Sequence, residues 1–335
     1  MADLLLALLL IAAGAALLTA GAEAFAEHVV GAASRLGTSV VGLGLLLAGA
    51  EPEEAVTAML ASGQGHPALA AGDAVGANLV VLTVALGLAA LVTRLPVGLR
   101  TLQYGAAAAV AGAVAWLLMR NGVLGRGEGF VLVLLYAAGV AWVWRRERQP
   151  PLIGELAELA DEAGPDVETG ATWGGETSGS DPEPDDAGTG RALLMVLLGL
   201  LGMVLGGALA VRGAAGLVDV LRIGDSVIGL TVLALATSAE MVALVWAARR
   251  RGISELVVAG AVGAVAYNAT VTLGLAALVD PLVLGRANLV VSVALLTAVL
   301  PLVLLTARRS GVLPRPVGAS LVVCYVAAVG LLLAR

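Results

Sequence analysis

The chain has 335 residues, of which 59% are hydrophobic and 13% charged, and its mean hydropathy is +0.98. Soluble globular domains are about half apolar and about a quarter charged, so this composition excludes them and indicates an all-α polytopic membrane protein. The net charge is −6, and we expect no nucleic-acid partner. The single cysteine, Cys324, excludes an intramolecular disulfide.

Apolar runs of about 20 residues, the length at which a helix crosses a hydrocarbon core of about 30 Å, recur along the whole sequence. The first run lacks a basic segment before it, so we expect a retained helix and not a signal peptide. In total the pattern predicts ten transmembrane helices, at residues 3–22, 39–61, 67–92, 97–119, 128–144, 192–213, 226–248, 254–279, 287–306 and 314–334.

The basic residues predict the orientation in the membrane. All 19 are arginines, and 13 of them fall on one side of the ten-helix arrangement against six on the other. Because cytoplasmic loops carry the excess of positive charge, we expect a multi-pass protein of the cell membrane with both termini outside. The long central loop then lies in the cytoplasm.

This central loop, residues 145–190, contains 12 of the 25 acidic residues and is rich in Pro, Gly and Ser. Such a composition is typical of disorder. We expect a linker between two five-helix units at residues 1–144 and 191–335. The main interpretation is a solvated tether, and a regulatory site in the loop is the alternative.

The two units resemble each other at an offset of 187 residues. Residues 39–56 align without a gap on 226–243, which places Glu53 on Glu240, and residues 74–92 align on 261–279. Each unit has an odd number of predicted helices, so the two copies would enter the membrane from opposite faces. Inverted repeats are typical of transporters with a site near the bilayer midplane, although a duplication retained only for packing is the alternative.

Acidic residues lie inside the predicted membrane helices, where an exposed carboxylate costs at least ~2.5 kcal/mol. The chain has no lysine, and the helices concerned have no arginine near their middle. We therefore expect a mobile cation or a proton to neutralise these acids. They are Glu51, Glu53, Glu54 and Glu240, with Asp73 less deep.

Pro52 interrupts the second predicted helix, because proline lacks an N–H and leaves the carbonyl oxygen of Ala48 without its helical partner. Helix 2 is accordingly predicted to be discontinuous. The same is predicted for helix 7, its counterpart in the repeat. In the second copy Thr237 and Ser238 add hydroxyl oxygens and Asn268 adds an amide oxygen. Oxygen ligands of these kinds suit hard cations such as Ca²⁺.

The three glutamates around Pro52 are not equivalent, because a helix turns by about 100° per residue and directs them to different sides. Glu53 is the predicted central ligand, since it has a partner in the repeat. Glu51 and Glu54 could line the access path, stay protonated or bind the ion directly.

These features resemble the calcium/cation antiporter superfamily, specifically its prokaryotic sodium/calcium exchanger type. The motif GLTVLALATSAE at residues 229–240 is similar to the family's GLTxxALGTSxPE, and VGLGLLLAGAEPEE at 41–54 occupies the equivalent place in the first copy. GDAVGAN at 72–78 partly matches the family's GNxxGSN. The resemblance implies ten helices in two inverted halves and an ion site with Glu53 and Glu240 as paired acids and Thr237, Ser238, Asn78 and Asn268 as accessory ligands.

The sequence also departs from the family pattern. The first copy has Gly49, Ala50 and Glu51 where the family has Gly-Thr-Ser, so two hydroxyls are missing and a carboxylate is added. In the second copy TSAE lacks the proline of TSxPE, and Val265 replaces the asparagine of GSN. Fewer ligand oxygens remain than the family's pattern provides.

The sequence thus predicts a secondary antiporter that exchanges Ca²⁺ against Na⁺ or H⁺ by alternating access, without a cofactor apart from the transported cations. A monomer is favoured, with the oligomeric state left open. One alternative is a transport-inactive membrane scaffold or ion sensor. Another is an intramembrane enzyme that uses the glutamates and His28, although the sequence offers neither a nucleophile nor a metal motif for it.

Overall fold

The structure is a computed structural model that describes residues 2–35, 51–147, 186–239, 241, 245 and 254–334. The described chain is mainly helical. In chain order the helices are α1 (Ala2–Arg35), α2 (Pro52–Gly63), α3 (Pro67–Val92), α4 (Leu99–Met119), α5 (Arg126–Glu147), α6 (Asp186–Leu221), α7 (Asp225–Thr237), α8 (residues 254–279), α9 (Arg286–Ser310) and α10 (Arg315–Leu333).

Eight of the described helices are long and apolar enough to cross a membrane. They are α1, α3, α4, α5, α6, α8, α9 and α10, and they coincide with eight of the ten predicted spans. The predicted spans 39–61 and 226–248 lie partly outside the described residues, which contain α2 and α7 from them. The chain is therefore a multi-pass membrane protein, as predicted.

Some helices extend beyond their predicted apolar spans. α1 continues to Arg35, α5 continues to Glu147, and α6 begins at Asp186, inside the segment that the sequence analysis assigns to the linker. Hydropathy marks only the apolar part of a helix, and backbone hydrogen bonding can continue into polar residues outside the hydrocarbon core. The rest of the predicted linker, residues 148–185, lies outside the described part of the chain.

Proline and glycine set the ends of several helices. α2 begins at Pro52 and α3 begins at Pro67, positions at which the missing N–H of proline costs no hydrogen bond. Gly65 lies between these helices with φ +86°, and Gly311 ends α9 with φ +67°. Glycine adopts these positive φ angles without the steric cost that other residues incur.

Two short antiparallel ladders connect the loops of the two halves. β1 (Leu95–Pro96) pairs with β4 (Val312–Leu313), and β2 (Val123–Leu124) pairs with β3 (Leu282–Val283). The first ladder joins the α3–α4 loop to the α9–α10 loop, and the second joins the α4–α5 loop to the α8–α9 loop. The two halves are therefore connected to each other at both ladders.

The two helices α3 and α8 form the centre of the bundle. In each of them 72% of the apolar span is buried inside the protein, whereas in the other six long helices the share lies between 11% and 33%. Each central helix contains one π-helical turn, at Val80–Ala85 in α3 and at Asn268–Thr272 in α8. Such turns occur often at functional sites, and here they place polar residues in the interior.

Small residues allow α3 to pack closely against α7. A Cβ atom built on Gly76 would lie 2.6 Å from Cβ of Ala234, and one built on Gly72 would lie 2.7 Å from the carbonyl oxygen of Ser226. In a membrane, van der Waals contact of this kind drives helix association, because lipid tails are as apolar as the helix surfaces and the hydrophobic effect does not favour association. The packing brings the end of α7 to the centre of the fold.

A buried carboxylate site

The first turn of α2 carries the acids that the sequence analysis singled out. Glu51 lies immediately before the helix with φ −103° and ψ 78°, and Glu53 and Glu54 follow Pro52 inside its first turn. The three side chains are 5%, 1% and 1% exposed. The N–H groups at a helix N-terminus favour negative charge, so this position stabilises buried carboxylates.

Ser238 provides a contact from the second half of the chain. α7 ends at Thr237, and the hydroxyl of Ser238 donates a hydrogen bond of 2.8 Å to Oε1 of Glu54. Ser238 occupies the position equivalent to Glu51 at the offset of 187 residues. The described end of α7 and the described beginning of α2 therefore fall at corresponding positions of the repeat.

Asn268 provides a second contact between the halves. Its side chain lies on the π-helical turn of α8, is completely buried, and donates from Nδ2 to Oε2 of Glu51 at 2.7 Å. The hydroxyl of Thr272 donates to Oδ1 of the same amide at 2.8 Å, which fixes its orientation. An amide oxygen has two lone pairs, so Oδ1 keeps one for a further partner.

Asp73 and Thr237 form a separate polar group. Asp73 lies in α3 and is 0% exposed, and its Oδ1 is 3.3 Å from the hydroxyl oxygen of Thr237. Its other oxygen, Oδ2, has no hydrogen-bond partner among the described residues. Asp73 is fully buried because α3 is a central helix. Its smaller depth in the membrane than that of the glutamates stays a prediction.

Asn78 lies on α3 and is 8% exposed. It lines a cavity of about 40 Å³ together with Ser292 and mainly apolar side chains. Its amide oxygen has no hydrogen-bond partner within the described part of the chain. The structure therefore places an available oxygen here, although no described hydrogen bond connects it to the glutamates of α2.

Two residues of the predicted site lie outside the described residues, namely Ala48 and Glu240. Glu53, the predicted partner of Glu240, is buried in the first turn of α2. The pairing of these two acids stays a prediction, as does the role of the Ala48 carbonyl.

The structure adds three residues that sequence reasoning missed. Thr272 bonds to Asn268, and the rings of Tyr136 and Tyr267 pack edge to face with centroids 5.5 Å apart beside Ala55 of α2. The spacing of Thr272 four residues after Asn268 places the two on one helix face and was a usable signal. Tyr136 comes from α5, and nothing in the sequence connects it with the site.

Hydroxyl, amide and carboxylate oxygens thus meet in the interior, but not as a compact metal centre. Within the described ranges no group of three or more His, Cys, Asp or Glu side chains is arranged to hold a metal ion. These side chains instead form three hydrogen-bonded groups. The first contains Glu54 and Ser238, the second contains Glu51, Asn268 and Thr272, and the third contains Asp73 and Thr237.

A membrane-embedded helix bundle with carboxylates buried at its centre defines the class of polytopic ion-handling membrane proteins. The chain belongs to the sodium/calcium exchanger family. The family model, described as sodium/calcium exchanger protein, matches residues 4–145 and 191–334. The match stops at the acidic linker and resumes after it. The members of this family are exchangers and not enzymes in the catalytic sense.

The chain is also similar to a named membrane protein and to solved structures over most of its length. The inner membrane protein YrbG of Escherichia coli (strain K12) is 28% identical over 243 residues, which are 72% of this chain and 70% of the relative. A structure of the sodium-calcium exchanger NCX_Mj has a TM-score of 0.59 at 20% identity and covers 98% of this chain and 99% of its own. The H⁺/Ca²⁺ exchanger CAX has a TM-score of 0.69 at 15% identity and covers 99% and 85%. These structures share the fold.

Proposed function

We propose that the protein is a secondary active antiporter that exchanges Ca²⁺ against Na⁺ or H⁺ by alternating access. The observation that carries the proposal is the meeting of Glu51 and Glu54 from the first half with Ser238 and Asn268 from the second half in the buried interior. Such a set of oxygens suits a hard cation. One structural neighbour is named for exchange of sodium and calcium and the other for H⁺ and Ca²⁺, which supports Ca²⁺ as cargo.

The proposed architecture is ten helices in two inverted five-helix repeats, at residues 1–144 and 191–335, with the linker 145–190 between them. Corresponding features support it. Leu86–Val92 and Leu273–Val279 follow the two π-helical turns at the offset of 187 residues. Each ladder pairs a strand of one half with a strand of the other.

The ladders also support an alternating path through the membrane. In the ten-helix arrangement the α3–α4 and α9–α10 loops lie on one side, and the α4–α5 and α8–α9 loops lie on the other. Each ladder joins two loops that this arrangement places on the same side. We propose that both termini lie outside the cell membrane and that the linker lies in the cytoplasm.

In the proposed mechanism Glu53 and Glu240 are the central ligands of the cation. Glu51 and Glu54 add carboxylate oxygens, and the carbonyl oxygen of Ala48 adds another. The accessory ligands are Thr237, Ser238, Asn78 and Asn268. The hydroxyl of Ser238 can donate its hydrogen bond to Glu54 while a lone pair of the same oxygen binds a cation. Asn268 can donate from Nδ2 to Glu51 while the second lone pair of its Oδ1 binds a cation.

Release follows when Na⁺ ions or protons neutralise the carboxylates and weaken their attraction for Ca²⁺. The described helix ends at Pro52 and Thr237 belong to opposite repeats. Rocking one repeat against the other would therefore open the site to the two sides in turn. The partners of a monomer of this kind are inorganic cations and the surrounding lipid.

Flux into liposomes tests the proposal. We expect the purified protein to take up Ca²⁺ when a Na⁺ or pH gradient is imposed, and the two gradients applied separately identify the counter-ion. Glu53→Gln and Glu240→Gln should abolish uptake, because each removes a negative charge at the ion. Asp219→Asn, which changes an exposed acid of α6, is the matched control and should leave uptake unchanged.

Full transport by both glutamine variants would contradict the proposed site. Stabilisation of the protein by Ca²⁺ without any flux would favour an ion sensor or scaffold over an antiporter.

A further inference from the structure

An apolar groove of about 480 Å³ lies between α4, α5 and α8, on the outside of the bundle. Its walls come from residues 104–111 of α4, 135–143 of α5 and 262–270 of α8. The lining is mainly Ala, Val, Leu and Gly, with aromatic rings at both ends. A groove of this composition on a membrane helix bundle opens towards the acyl chains of the bilayer.

The distance from the inner end of the groove to Arg146 matches one leaflet. Tyr104 packs edge to face on Trp142 at one end, with centroids 6.0 Å apart, and Tyr136 lies at the other end. The ten residues from Tyr136 to Arg146 correspond to about 15 Å at 1.5 Å per residue. This is half of a hydrocarbon core of about 30 Å. The groove, whose lining on α5 ends at Val143, and Arg146 beyond it therefore together extend from about the midplane to the membrane surface.

A fixed positive charge stands at the surface end of the groove. The guanidinium of Arg146 lies 5.5 Å from the centre of the Trp142 ring, and its Nη2 donates a hydrogen bond of 3.0 Å to Oε1 of Gln103. A stacked and hydrogen-bonded arginine is held in place, and its remaining donors suit a phosphate group. The groove therefore combines a cation at the headgroup level with an apolar channel one leaflet deep.

We propose that this groove binds one anionic phospholipid of the bilayer, with its phosphate at Arg146 and an acyl chain between α4, α5 and α8. The acyl chain of the lipid ends against Tyr136. The Tyr136 ring packs on Tyr267, which precedes Asn268 of the carboxylate site in the sequence. The lipid thus fills the space behind one wall of that site. The proposal concerns binding only and does not depend on transport.

Gly139 offers a way to fill the groove. It lines the groove on α5, and a Cβ atom built on it would meet nothing within 4 Å. Gly139→Phe should therefore place its ring in the channel without a clash with the backbone. Gly330→Phe is the matched control, because Gly330 is an equally open and exposed helical glycine, on α10 and outside the groove.

The experiment places the protein in nanodiscs of equal parts phosphatidylcholine and phosphatidylglycerol and counts retained lipids by native mass spectrometry. We expect the wild type and Gly330→Phe to retain one phosphatidylglycerol, and Gly139→Phe to lose it. Arg146→Gln should lower the preference for phosphatidylglycerol over phosphatidylcholine about fivefold, or about 1 kcal/mol for one basic residue. Arg308→Gln, which alters an exposed arginine of α9, should leave the preference unchanged.

Thermal unfolding checks that each variant is folded, and Gly139→Leu replaces Gly139→Phe if the phenylalanine prevents folding. Retention of the same phosphatidylglycerol by the folded Gly139 variant would overturn the proposal. An unchanged lipid preference in Arg146→Gln, or retention of phosphatidylcholine alone by the wild type, would also overturn it.

Discussion

At the residue scale, the carboxylates of α2 are held by polar groups from the other half of the chain. The bonds from Ser238 to Glu54 and from Asn268 to Glu51 join residues 184 and 217 positions apart. Hydrogen bonds to charged groups contribute about 1.5–3 kcal/mol each. Such bonds position the oxygens that a cation would bind, and single substitutions can test them.

Ser238→Ala removes the hydroxyl that donates to Glu54 and a proposed ligand oxygen. A loss of about 1.4 kcal/mol or more corresponds to at least a tenfold change in affinity, so the Ca²⁺ concentration for half-maximal transport should rise at least about tenfold. The dependence of flux into liposomes on Ca²⁺ concentration measures this change.

Ser62→Ala is the matched control for this prediction. Ser62 is also buried, and its hydroxyl donates to the carbonyl oxygen of Ala276, away from the glutamates. The control should lower thermal stability and leave the half-maximal concentration unchanged. Equal concentration shifts in both variants would show that Ser238 acts on stability and not on the ion.

Asn268→Asp places a second carboxylate where the amide now lies 2.7 Å from Glu51. Two carboxylates at this distance repel each other unless a cation or a proton lies between them. We expect the melting temperature to fall without Ca²⁺ and to rise with added Ca²⁺ more steeply than in the wild type, because bound ions stabilise the folded state. Thermal unfolding over a Ca²⁺ series measures both effects.

Asn121→Asp makes the same chemical change in an exposed loop and should show no added response to Ca²⁺. A drop in the melting temperature of Asn268→Asp that is equal at every Ca²⁺ concentration would argue against a cation at this position.

At the scale of the helices, glycine contacts determine where the polar ends meet. Gly76→Ala would bring a methyl group to 2.6 Å from Cβ of Ala234, so α3 and α7 would have to separate. Overpacking of this kind costs about 1–3 kcal/mol. We expect a lower melting temperature and weaker Ca²⁺ binding, measured on the same purified sample.

Gly330→Ala is the control, because its Cβ would meet no atom within 4 Å. Alanine favours a helix over glycine by up to about 1 kcal/mol, so this variant should keep or slightly raise the melting temperature. If Gly76→Ala behaved like Gly330→Ala, close packing of α3 on α7 would not be required.

At the scale of the whole molecule, the ladders and the arginine distribution agree on which loops share a side. Single cysteines in a Cys324→Ser background can test the orientation. Asn121→Cys in the α4–α5 loop should react with a membrane-impermeant maleimide on intact cells. Arg309→Cys at the end of α9 should react only after permeabilisation, because the proposal places it in the cytoplasm.

Labelling in the reverse pattern would invert the proposed orientation. Reaction of both cysteines on intact cells would contradict the alternating path itself. Both positions are exposed, so failure to react on one side reports the membrane barrier and not burial in the protein.

The sequence by itself determined that this is a multi-pass membrane protein, where eight of its spanning helices lie, and to which family it belongs. This was possible because each span must supply about 20 apolar residues of its own, so the signal is local. Glu51, Glu53 and Glu54 were recognisable for the same reason, since a carboxylate in an apolar run needs no structure to be noticed.

Only the tertiary structure decided which polar groups meet. The sequence favoured Glu53 as the central acid, which stays a prediction, and the structure shows that Glu54 and Glu51 accept hydrogen bonds from Ser238 and Asn268 of the second half. The contact between Asp73 and Thr237 and the place of Tyr136 were equally hidden. These contacts depend on how the helices cross, which involves glycine packing between helices and the π-helical turns of α3 and α8. Neither follows from the order of residues within one helix.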